Sequence, residues 1–180
     1  MTRNTTRIVL ASSNSGKLIE LSELLEPAGV ELVPQTQLGV ASVEETGLTF
    51  VENALLKARH AASATALPAI ADDSGLVVDA LRGAPGLYSS RYAGPHATDI
   101  DNNTKLLQAL AQVDDRRAYF YCALVFLHAP NDPAPIIAVG QWHGTIIDTP
   151  RGSNGFGYDP LFWVSEFQAT AAELDLATKS

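Results

Sequence analysis

The segment that most constrains the fold is residues 117–128, where both alternating sets of side chains are apolar. The two sets are Phe120, Cys122, Leu124 and Phe126 on one face, and Tyr121, Ala123, Val125 and Leu127 on the other. A strand that is apolar on both faces is typical of the centre of a sheet that is covered on both sides. The segment therefore predicts a layered α/β protein with its central strand here.

Helices and strands alternate irregularly along the rest of the chain. The predicted strands are residues 8–11, 30–33 and 69–71, and residues 136–147, which would pair back as a hairpin. The predicted helices are one from Lys17 with Leu18, Leu21, Leu24 and Leu25 on one stripe, one after a Thr49–Glu52 capping box, and one over residues 98–111. Because strict βαβ alternation is absent, we expect a mixed central sheet flanked by helices, in a single domain over residues 1–180.

The composition limits what this chain can bind. With 180 residues it can bury a core, and its formal net charge of −8 should repel bulk nucleic acid. A single cysteine, Cys122, cannot form an internal disulfide, which predicts a reducing compartment. No apolar run reaches the roughly 20 residues that a membrane helix needs. The run at residues 8–11 is too short for the core of a signal peptide. We expect a cytoplasmic protein without nucleic-acid or membrane partners.

A candidate phosphate loop lies between the first predicted strand and the first predicted helix. It reads Ser12-Ser13-Asn14-Ser15-Gly16-Lys17. A helix N-terminus offers backbone N–H groups and the positive end of the helix dipole, Gly16 permits close backbone approach, and Lys17 adds a full charge. One glycine and a different spacing distinguish it from a Walker A loop. The alternative is an ordinary capped helix with a surface lysine.

Two pairs of adjacent carboxylates, Glu44-Glu45 and Asp72-Asp73, form a candidate metal site. Adjacent carboxylates repel each other unless water or a cation neutralises them. Asp72 and Asp73 directly follow an apolar strand, where ligands of α/β proteins commonly bind. Oxygen donors without a His or Cys cluster favour Mg²⁺ over zinc. The equally open alternative is a solvated turn.

Asn53 and Lys57 are a further candidate pair, because they lie four residues apart on one face of the second predicted helix. The rest of that helix is rich in alanine, so Lys57 stands out as a cation directed away from it. The alternative is a plain surface lysine.

A glycine-rich segment near the end of the chain is a candidate binding loop for a planar ligand. It reads Gly152-Ser153-Asn154-Gly155-Phe156-Gly157-Tyr158-Asp159-Pro160. Phe156 or Tyr158 could stack on a base, and Asp159 could accept a hydrogen bond from a ring N–H. The alternative is a long turn whose aromatic side chains pack into the core.

Six segments together resemble the inosine/xanthosine triphosphate pyrophosphatase family, most closely its bacterial members. They are residues 12–17; Glu44-Glu45-Thr46-Gly47; residues 50–58, which read Phe-x-Glu-Asn-Ala-x-x-Lys-Ala; Ala71-Asp72-Asp73-Ser74-Gly75; Gly83-Ala84-Pro85-Gly86 leading to Ser90-Arg91-Tyr92-Ala93-Gly94; and residues 155–160. Each segment alone is a weak indication. Six of them in the same order are specific, and they span nearly the whole chain.

The resemblance implies an activity and a set of roles. Family members hydrolyse non-standard purine nucleoside triphosphates (ITP, dITP and XTP) to the monophosphate and pyrophosphate, which clears these nucleotides from the pool. By this resemblance, Asp73 is the proton acceptor for the attacking water, and Glu45 and Asp73 hold Mg²⁺. The implied substrate-binding residues are Ser12, Ser13, Asn14, Ser15, Gly16, Lys17 and Lys57 for the triphosphate, Ser74 for a further substrate contact, and Phe156, Gly157, Tyr158, Asp159 and Lys179 for the base.

The resemblance also implies an elongated body with a cleft between two lobes, paired as a homodimer. Family members carry a Ser-His-Arg-Gly segment beyond the position of Ser180, and its His and Arg contribute to base recognition. We expect this segment to follow residue 180 in a longer chain.

Three other hypotheses remain open from the sequence. A chain without the Ser-His-Arg-Gly segment would be a nucleotide-binding module without turnover. A related enzyme would act on modified pyrimidine triphosphates. A phosphoaspartate switch at Asp73 is the most distant of the three, since no receiver-like pattern of strands follows it.

Overall fold

The computed structural model describes residues 6–12 and 15–179. The strands are β1 (Thr6–Leu10), β2 (Val30–Pro34), β3 (Ala69–Val78), β4 (Arg117–Leu127), β5 (Ile136–Ile146), β6 (Phe162–Val164) and β7 (Ala169–Thr170). The α-helices are α1 (Ser15–Leu25), α2 (Phe50–Thr65), α3 (Asp99–Ala109) and α4 (Leu176–Lys179), and short 3-10 turns lie between these elements. Within the described ranges, no helix combines the length and the apolar character needed to cross a membrane.

The strands form one mixed sheet in the order β2-β1-β3-β4-β5-β6-β7. β1 pairs in parallel with β2 and with β3. β6 pairs antiparallel with β5 and with β7. The predicted α/β class with a mixed sheet is confirmed, and β4 lies at the centre of the strand order, as its two apolar faces predicted.

The chain divides into two compact units. Unit 1 comprises Met1–Asp73 and Cys122–Val139, and unit 2 comprises Ser74–Tyr121 and Gly140–Ser180. Each unit has its own buried apolar cluster. The cluster of unit 1 contains Ile8, Leu10 and Ile70. The cluster of unit 2 includes Leu76, Val78, Leu106, Leu110, Ile146, Tyr158, Leu161 and Phe162.

Helix α1 covers the cluster of unit 1 with a narrower stripe than the sequence predicted. Leu18, Leu21 and Leu25 pack against the cluster, whereas Leu24 is exposed. At 3.6 residues per turn, Leu24 lies about 120° around the helix from Leu18, while the other two lie within about 60° of it. The assignment of Leu24 to the apolar stripe was therefore wrong.

The start of α2 differs in one bond from the predicted capping box. Thr49 is the N-cap, and its Oγ1 accepts a hydrogen bond from the Glu52 N–H at 3.1 Å. The Glu52 carboxylate, however, accepts from the Leu48 N–H at 2.8 Å, one residue before the position that the box requires. The cap still fixes the first turn of α2, which positions Asn53 and Lys57 one turn apart on the same side of the helix.

Candidate functional site

Asp72 and Asp73 lie inside a strand and not in a turn after it. β3 continues through both residues to Val78, and they are only 5% and 9% exposed. The sequence predicted that the strand ends at Ala71. Carboxylates are costly to bury unless a partner compensates them. The structure supplies such partners, since a lysine ammonium contacts each carboxylate. The solvated-turn alternative is therefore wrong for Asp72 and Asp73. Ser74 follows in the same strand and is half-buried.

Lys57 of α2 lies between two carboxylates of unit 1. Its Nζ is 2.7 Å from Glu45 Oε1 and 3.4 Å from Asp73 Oδ1. Burial disfavours the ammonium, but the hydrogen bond to Glu45 and the charges of Asp73, Glu45 and Asp72 outweigh burial and raise the pKa of Lys57. For Asp73, burial is the largest influence and raises the pKa of its carboxyl, against the opposing effects of Lys57 and Asn53. Lys57 is thus not a plain surface lysine.

Lys17 makes a second ion pair in unit 1. α1 begins at Ser15, so Gly16 and Lys17 stand in its first turn, and Lys17 Nζ contacts Asp72 Oδ2. Both side chains are largely buried, which is inconsistent with an ordinary surface lysine. Of the other predicted loop residues, Ser12 is half-buried before the helix. The predicted Ser13 and Asn14 lie outside the described residues.

Asn53, which the sequence named as a candidate together with Lys57, joins the polar contacts around Asp73. It is 2% exposed, its Oδ1 accepts from the Gly47 N–H at 2.8 Å, and its Nδ2 donates to Asp73 Oδ2 at 3.1 Å. A Cβ on Gly47 would lie 2.7 Å from Asn53 Oδ1, so glycine is needed for this close approach. Asn53 thereby ties the loop that carries Glu45 to the strand that carries Asp73. In the sequence, the position of Asn53 one helical turn before Lys57 was what indicated that it belongs to the site.

Glu45 and Asp73 are arranged to share a cation, since their oxygens converge on one ammonium group. Glu44 is exposed, and Asp72 faces Lys17. In the described part of the chain, no three His, Cys, Asp or Glu side chains surround a common metal position. Mg²⁺ needs no such set, because it commonly binds one or two carboxylates together with waters and substrate phosphates. The two carboxylates therefore fit a Mg²⁺ ion.

The candidate base-binding loop, residues 152–160, belongs to unit 2. Phe156 is 58% exposed, whereas Tyr158 is 4% exposed and packs in the core. The Tyr158 hydroxyl donates to the Ser89 carbonyl at 2.8 Å, and burial raises the pKa of the phenol above its usual range. The sequence left open which aromatic ring stacks on a base. The ring of Tyr158 is occupied by packing, so Phe156 is the ring that a ligand can reach.

Asp159 and Lys179 form an ion pair beside this loop. Lys179 Nζ lies 2.8 Å from Asp159 Oδ2. Gly155 has a φ of +78°, and a Cβ at this position would collide with the Asp159 carboxylate and lie 2.8 Å from Lys179 Nζ. Gly155 is therefore required both by its backbone conformation and by the space that the ion pair occupies. The pair presents a hydrogen-bond acceptor and a donor side by side.

Unit 2 also contains a cavity of about 740 Å³. Its lining includes Arg117, Tyr119, Trp142, His143 and Glu166. None of the predicted site residues lines it. The ion pairs of unit 1 and the glycine-rich loop of unit 2 are thus separate candidate features, and this cavity is part of neither.

Comparison with known proteins decides the family. The model of the Ham1 family matches residues 8–180. This chain belongs to the Ham1 family. Over 177 residues it is 57% identical to a dITP/XTP pyrophosphatase of Burkholderia pseudomallei, a match that covers 97% of this chain and 85% of that relative. Over 176 residues it is 56% identical to the dITP/XTP pyrophosphatase of Escherichia coli K12, covering 97% and 89%. The family expected from the six segments is confirmed.

Solved structures of Ham1 proteins share the fold. A HAM1 protein from Coxiella burnetii superposes with a TM-score of 0.92 at 55% identity, over 97% of this chain and 90% of that one. The Staphylococcus aureus Ham1 protein gives a TM-score of 0.86 at 41% identity, over 97% and 89%. The mixed sheet with flanking helices is therefore the fold of this family.

Proposed function

We propose that this chain hydrolyses dITP, XTP and ITP to the nucleoside monophosphate and pyrophosphate, and that it requires Mg²⁺. The observation that carries the proposal is the cluster of Glu45, Lys57 and Asp73 in a chain 57% identical to a dITP/XTP pyrophosphatase. A protein that only binds nucleotides needs no buried carboxylate with a raised pKa beside its cation site. Relatives that bear the name of a pyrophosphatase give no support to binding without turnover.

The group of ion pairs in unit 1 suits the phosphate groups of a nucleoside triphosphate. Three carboxylates (Glu45, Asp72 and Asp73) face two ammonium groups (Lys17 and Lys57), which leaves an excess of one negative charge. A divalent cation held by Glu45 and Asp73 would reverse that sign and attract a triphosphate. The backbone N–H groups at the start of α1 would add further contacts to phosphate oxygens. The residues proposed to bind the triphosphate are Ser12, Ser13, Asn14, Ser15, Gly16, Lys17 and Lys57, with a further substrate contact from Ser74.

The chemistry is attack of water on the α-phosphorus. The bond from this phosphorus to the oxygen that bridges to the β-phosphorus breaks, and pyrophosphate leaves. Asp73 would orient the water and accept its proton on a carboxylate oxygen, a task suited to a carboxyl whose pKa is raised. Lys17 and Lys57 would stabilise the charge that develops on the phosphate oxygens. Mg²⁺, when bound, would neutralise part of the same charge.

The loop in unit 2 suits a 6-oxo purine. Lys179 offers a donor for the 6-oxygen, and Asp159, 2.8 Å away, offers an acceptor for the N1–H of the same base edge. Adenine presents the reverse arrangement, an amino group and an unprotonated N1, so both site groups would face mismatched partners. Mismatched buried polar groups are costly, and this gives strong discrimination. Phe156 would stack on the base, and the backbone of Gly157 and Tyr158 would frame it.

The test is a substrate panel of dITP, XTP, ITP, ATP, GTP and dUTP, each with Mg²⁺ and with EDTA. We expect Mg²⁺-dependent pyrophosphate release from the first three, with kcat/KM at least about 10²-fold above that for ATP. GTP shares the 6-oxo edge, so its rate measures discrimination at the 2-amino group. Equal rates with ATP would refute the base assignment, and undiminished release in EDTA would refute the metal. Preference for dUTP would favour the pyrimidine alternative, and dITP binding without release would favour the binding module.

We also propose that the chain acts as a homodimer in the cytoplasm. Ile136, Ile137 and Val139 of β5 are exposed large apolar side chains that a second copy could cover. Light scattering after size exclusion tests the dimer, and a monomer at micromolar concentration would refute it. Fractionation of cells that express the chain tests the location.

We predict that Asn53→Ala lowers both stability and turnover. The substitution leaves the Gly47 N–H without this acceptor and Asp73 without this donor, at a cost of about 1–3 kcal/mol in the free energy of unfolding. Asn53→Asp keeps the acceptor for Gly47 but directs a second carboxylate at Asp73, so it should lower turnover as well. Thermal melts and steady-state kinetics on dITP measure both effects. A native kcat in Asn53→Ala would contradict the positioning of Asp73 by Asn53.

A further inference from the structure

Helix α3 holds the base-binding loop through both polar groups of one glycine. Asp99 Oδ2 accepts a hydrogen bond from the Gly157 N–H at 2.7 Å. Asn103 Nδ2 donates a hydrogen bond to the Gly157 carbonyl at 2.9 Å. Asp99 and Asn103 are four residues apart, so they project from the same side of α3. One helix face therefore fixes the peptide groups on both sides of Gly157.

The backbone conformation of Gly157 sets the orientation of Phe156 relative to Tyr158. It has a left-handed φ of +61° and separates the exposed Phe156 from the buried Tyr158. Rotation of its peptide groups would swing the Phe156 ring relative to Tyr158, which is itself anchored to the Ser89 carbonyl. A Cβ on Gly157 would meet no atom within 4 Å, so conformation and not space requires glycine here. The two bonds from α3 hold that conformation.

Neither side chain is needed to form the helix. The start of α3 is capped by Thr98 and Asp101, which complete a capping box without Asp99. The Asn103 Oδ1 is buried without a hydrogen-bond partner among the described residues. An unsatisfied buried oxygen costs stability, and a position selected for stability alone would not retain it. The contact to Gly157 is what these two side chains contribute.

We propose that Asp99 and Asn103 are positioning residues for base recognition, and that they act by locking Gly157 so that Phe156 and Asp159 meet the purine in fixed geometry. This inference rests on the proposed function, because it assigns residues 152–160 to the base. It adds α3, which none of the six recognised sequence segments includes, to the determinants of specificity.

The donor and acceptor pattern predicts opposite outcomes for two isosteric substitutions. Asp99→Asn keeps an oxygen that can accept from the Gly157 N–H, so it should retain near-native behaviour. Asn103→Asp places a carboxylate against the Gly157 carbonyl, so it should release the loop. Asp99→Ala and Asn103→Ala should also release it. The matched control is Thr104→Ala on the same helix, since Thr104 is exposed and its hydroxyl donates to the Ile100 carbonyl of α3 itself.

The experiment compares the affinity for a ligand that contains a base, dIMP, with the affinity for a ligand that lacks one, inorganic pyrophosphate. For Asp99→Ala, Asn103→Ala and Asn103→Asp, we expect the affinity for dIMP to fall about tenfold, and the KM for dITP to rise similarly with kcat nearly unchanged. Affinity for inorganic pyrophosphate should stay native, because the phosphate-binding residues of unit 1 are untouched. Asp99→Asn and Thr104→Ala should match the native chain in all three measurements. Circular dichroism and thermal melts verify that each variant is folded.

Two failures are distinguishable. A native chain that releases no pyrophosphate from dITP would refute the proposed function, and calorimetric titration with dIMP would still measure the effect of α3 on nucleotide binding. Native dIMP affinity in both alanine variants and in Asn103→Asp would overturn the role of α3. An equal loss of dIMP and pyrophosphate affinity would also overturn it, because that pattern indicates general destabilisation.

Discussion

Asp73→Asn should remove most turnover and leave the fold intact. The amide accepts no proton near neutral pH and weakens the cation site, so we expect kcat to fall by about 10²–10⁴-fold, the usual contribution of a general base. The stability of the folded state should not fall in the same variant. Burial raises the pKa of Asp73, so above that pKa its ionised form lowers the stability of the folded state relative to the unfolded chain. The neutral amide does not carry that penalty.

Pyrophosphate release from dITP and the thermal midpoint, Tm, measure the two effects of Asp73→Asn. Glu44→Gln is the matched control, since Glu44 is an exposed carboxylate beside Glu45, whereas Lys57 pairs with Glu45 and Lys17 pairs with Asp72. We expect native kcat and native Tm for this control. Turnover retained in Asp73→Asn would show that another group accepts the proton, and a large loss in Glu44→Gln would reassign the metal site.

Lys57→Met should have the largest effect on stability. The ammonium of Lys57 separates Glu45 from Asp73, so its removal leaves two mostly buried carboxylates without their shared counter-charge. The pKa of Lys57 is raised in the folded state, so at neutral pH, below its unfolded pKa, the charged lysine contributes its full stabilisation. Loss of one partner of a buried ion pair costs on the order of 3 kcal/mol. For a domain of this size, that lowers Tm by about 6–12 °C.

Magnesium provides a second readout for Lys57→Met. Mg²⁺ bound between Glu45 and Asp73 would replace the missing charge, so it should raise the Tm of Lys57→Met more than that of the native chain. Arg59→Met is the control on the same helix, because Arg59 is exposed, and it should show native Tm and a native response to Mg²⁺. Equal Mg²⁺ responses in the native chain, Lys57→Met and Glu45→Gln would contradict a metal site at these carboxylates.

The framework of the fold could be predicted from local patterns. The two apolar faces of residues 117–128 predicted the central strand β4, and Thr49 marked the start of α2 as its N-cap. Such features depend on neighbours in the sequence and can therefore be predicted from it. The bounds of β3 could not be predicted, because the burial of Asp72 and Asp73 depends on Lys17 and Lys57, which reach them from other elements.

The motifs predicted which charged residues of the candidate site lie together, but not the hydrogen bonds and packing that support them. The motifs named Glu45, Lys57 and Asp73, and the structure brings these three into contact. The sequence does not show that the amide of Asn53 bridges two segments, nor that Tyr158 is buried while Phe156 is exposed. These facts depend on tertiary packing. The anchoring of Gly157 by α3 likewise joins residues 58 and 54 positions apart in the chain.

In the proposed reaction, water attacks the α-phosphorus of a 6-oxo purine nucleoside triphosphate. Hydrolysis of dITP in ¹⁸O-labelled water with Mg²⁺, followed by mass spectrometry of both products, tests it most directly. We expect one ¹⁸O atom in dIMP and none in pyrophosphate, with no label incorporated by Asp73→Asn over the same time. Label in pyrophosphate, or release of orthophosphate with dIDP, would contradict attack at the α-phosphorus and the roles assigned to Glu45, Lys57 and Asp73.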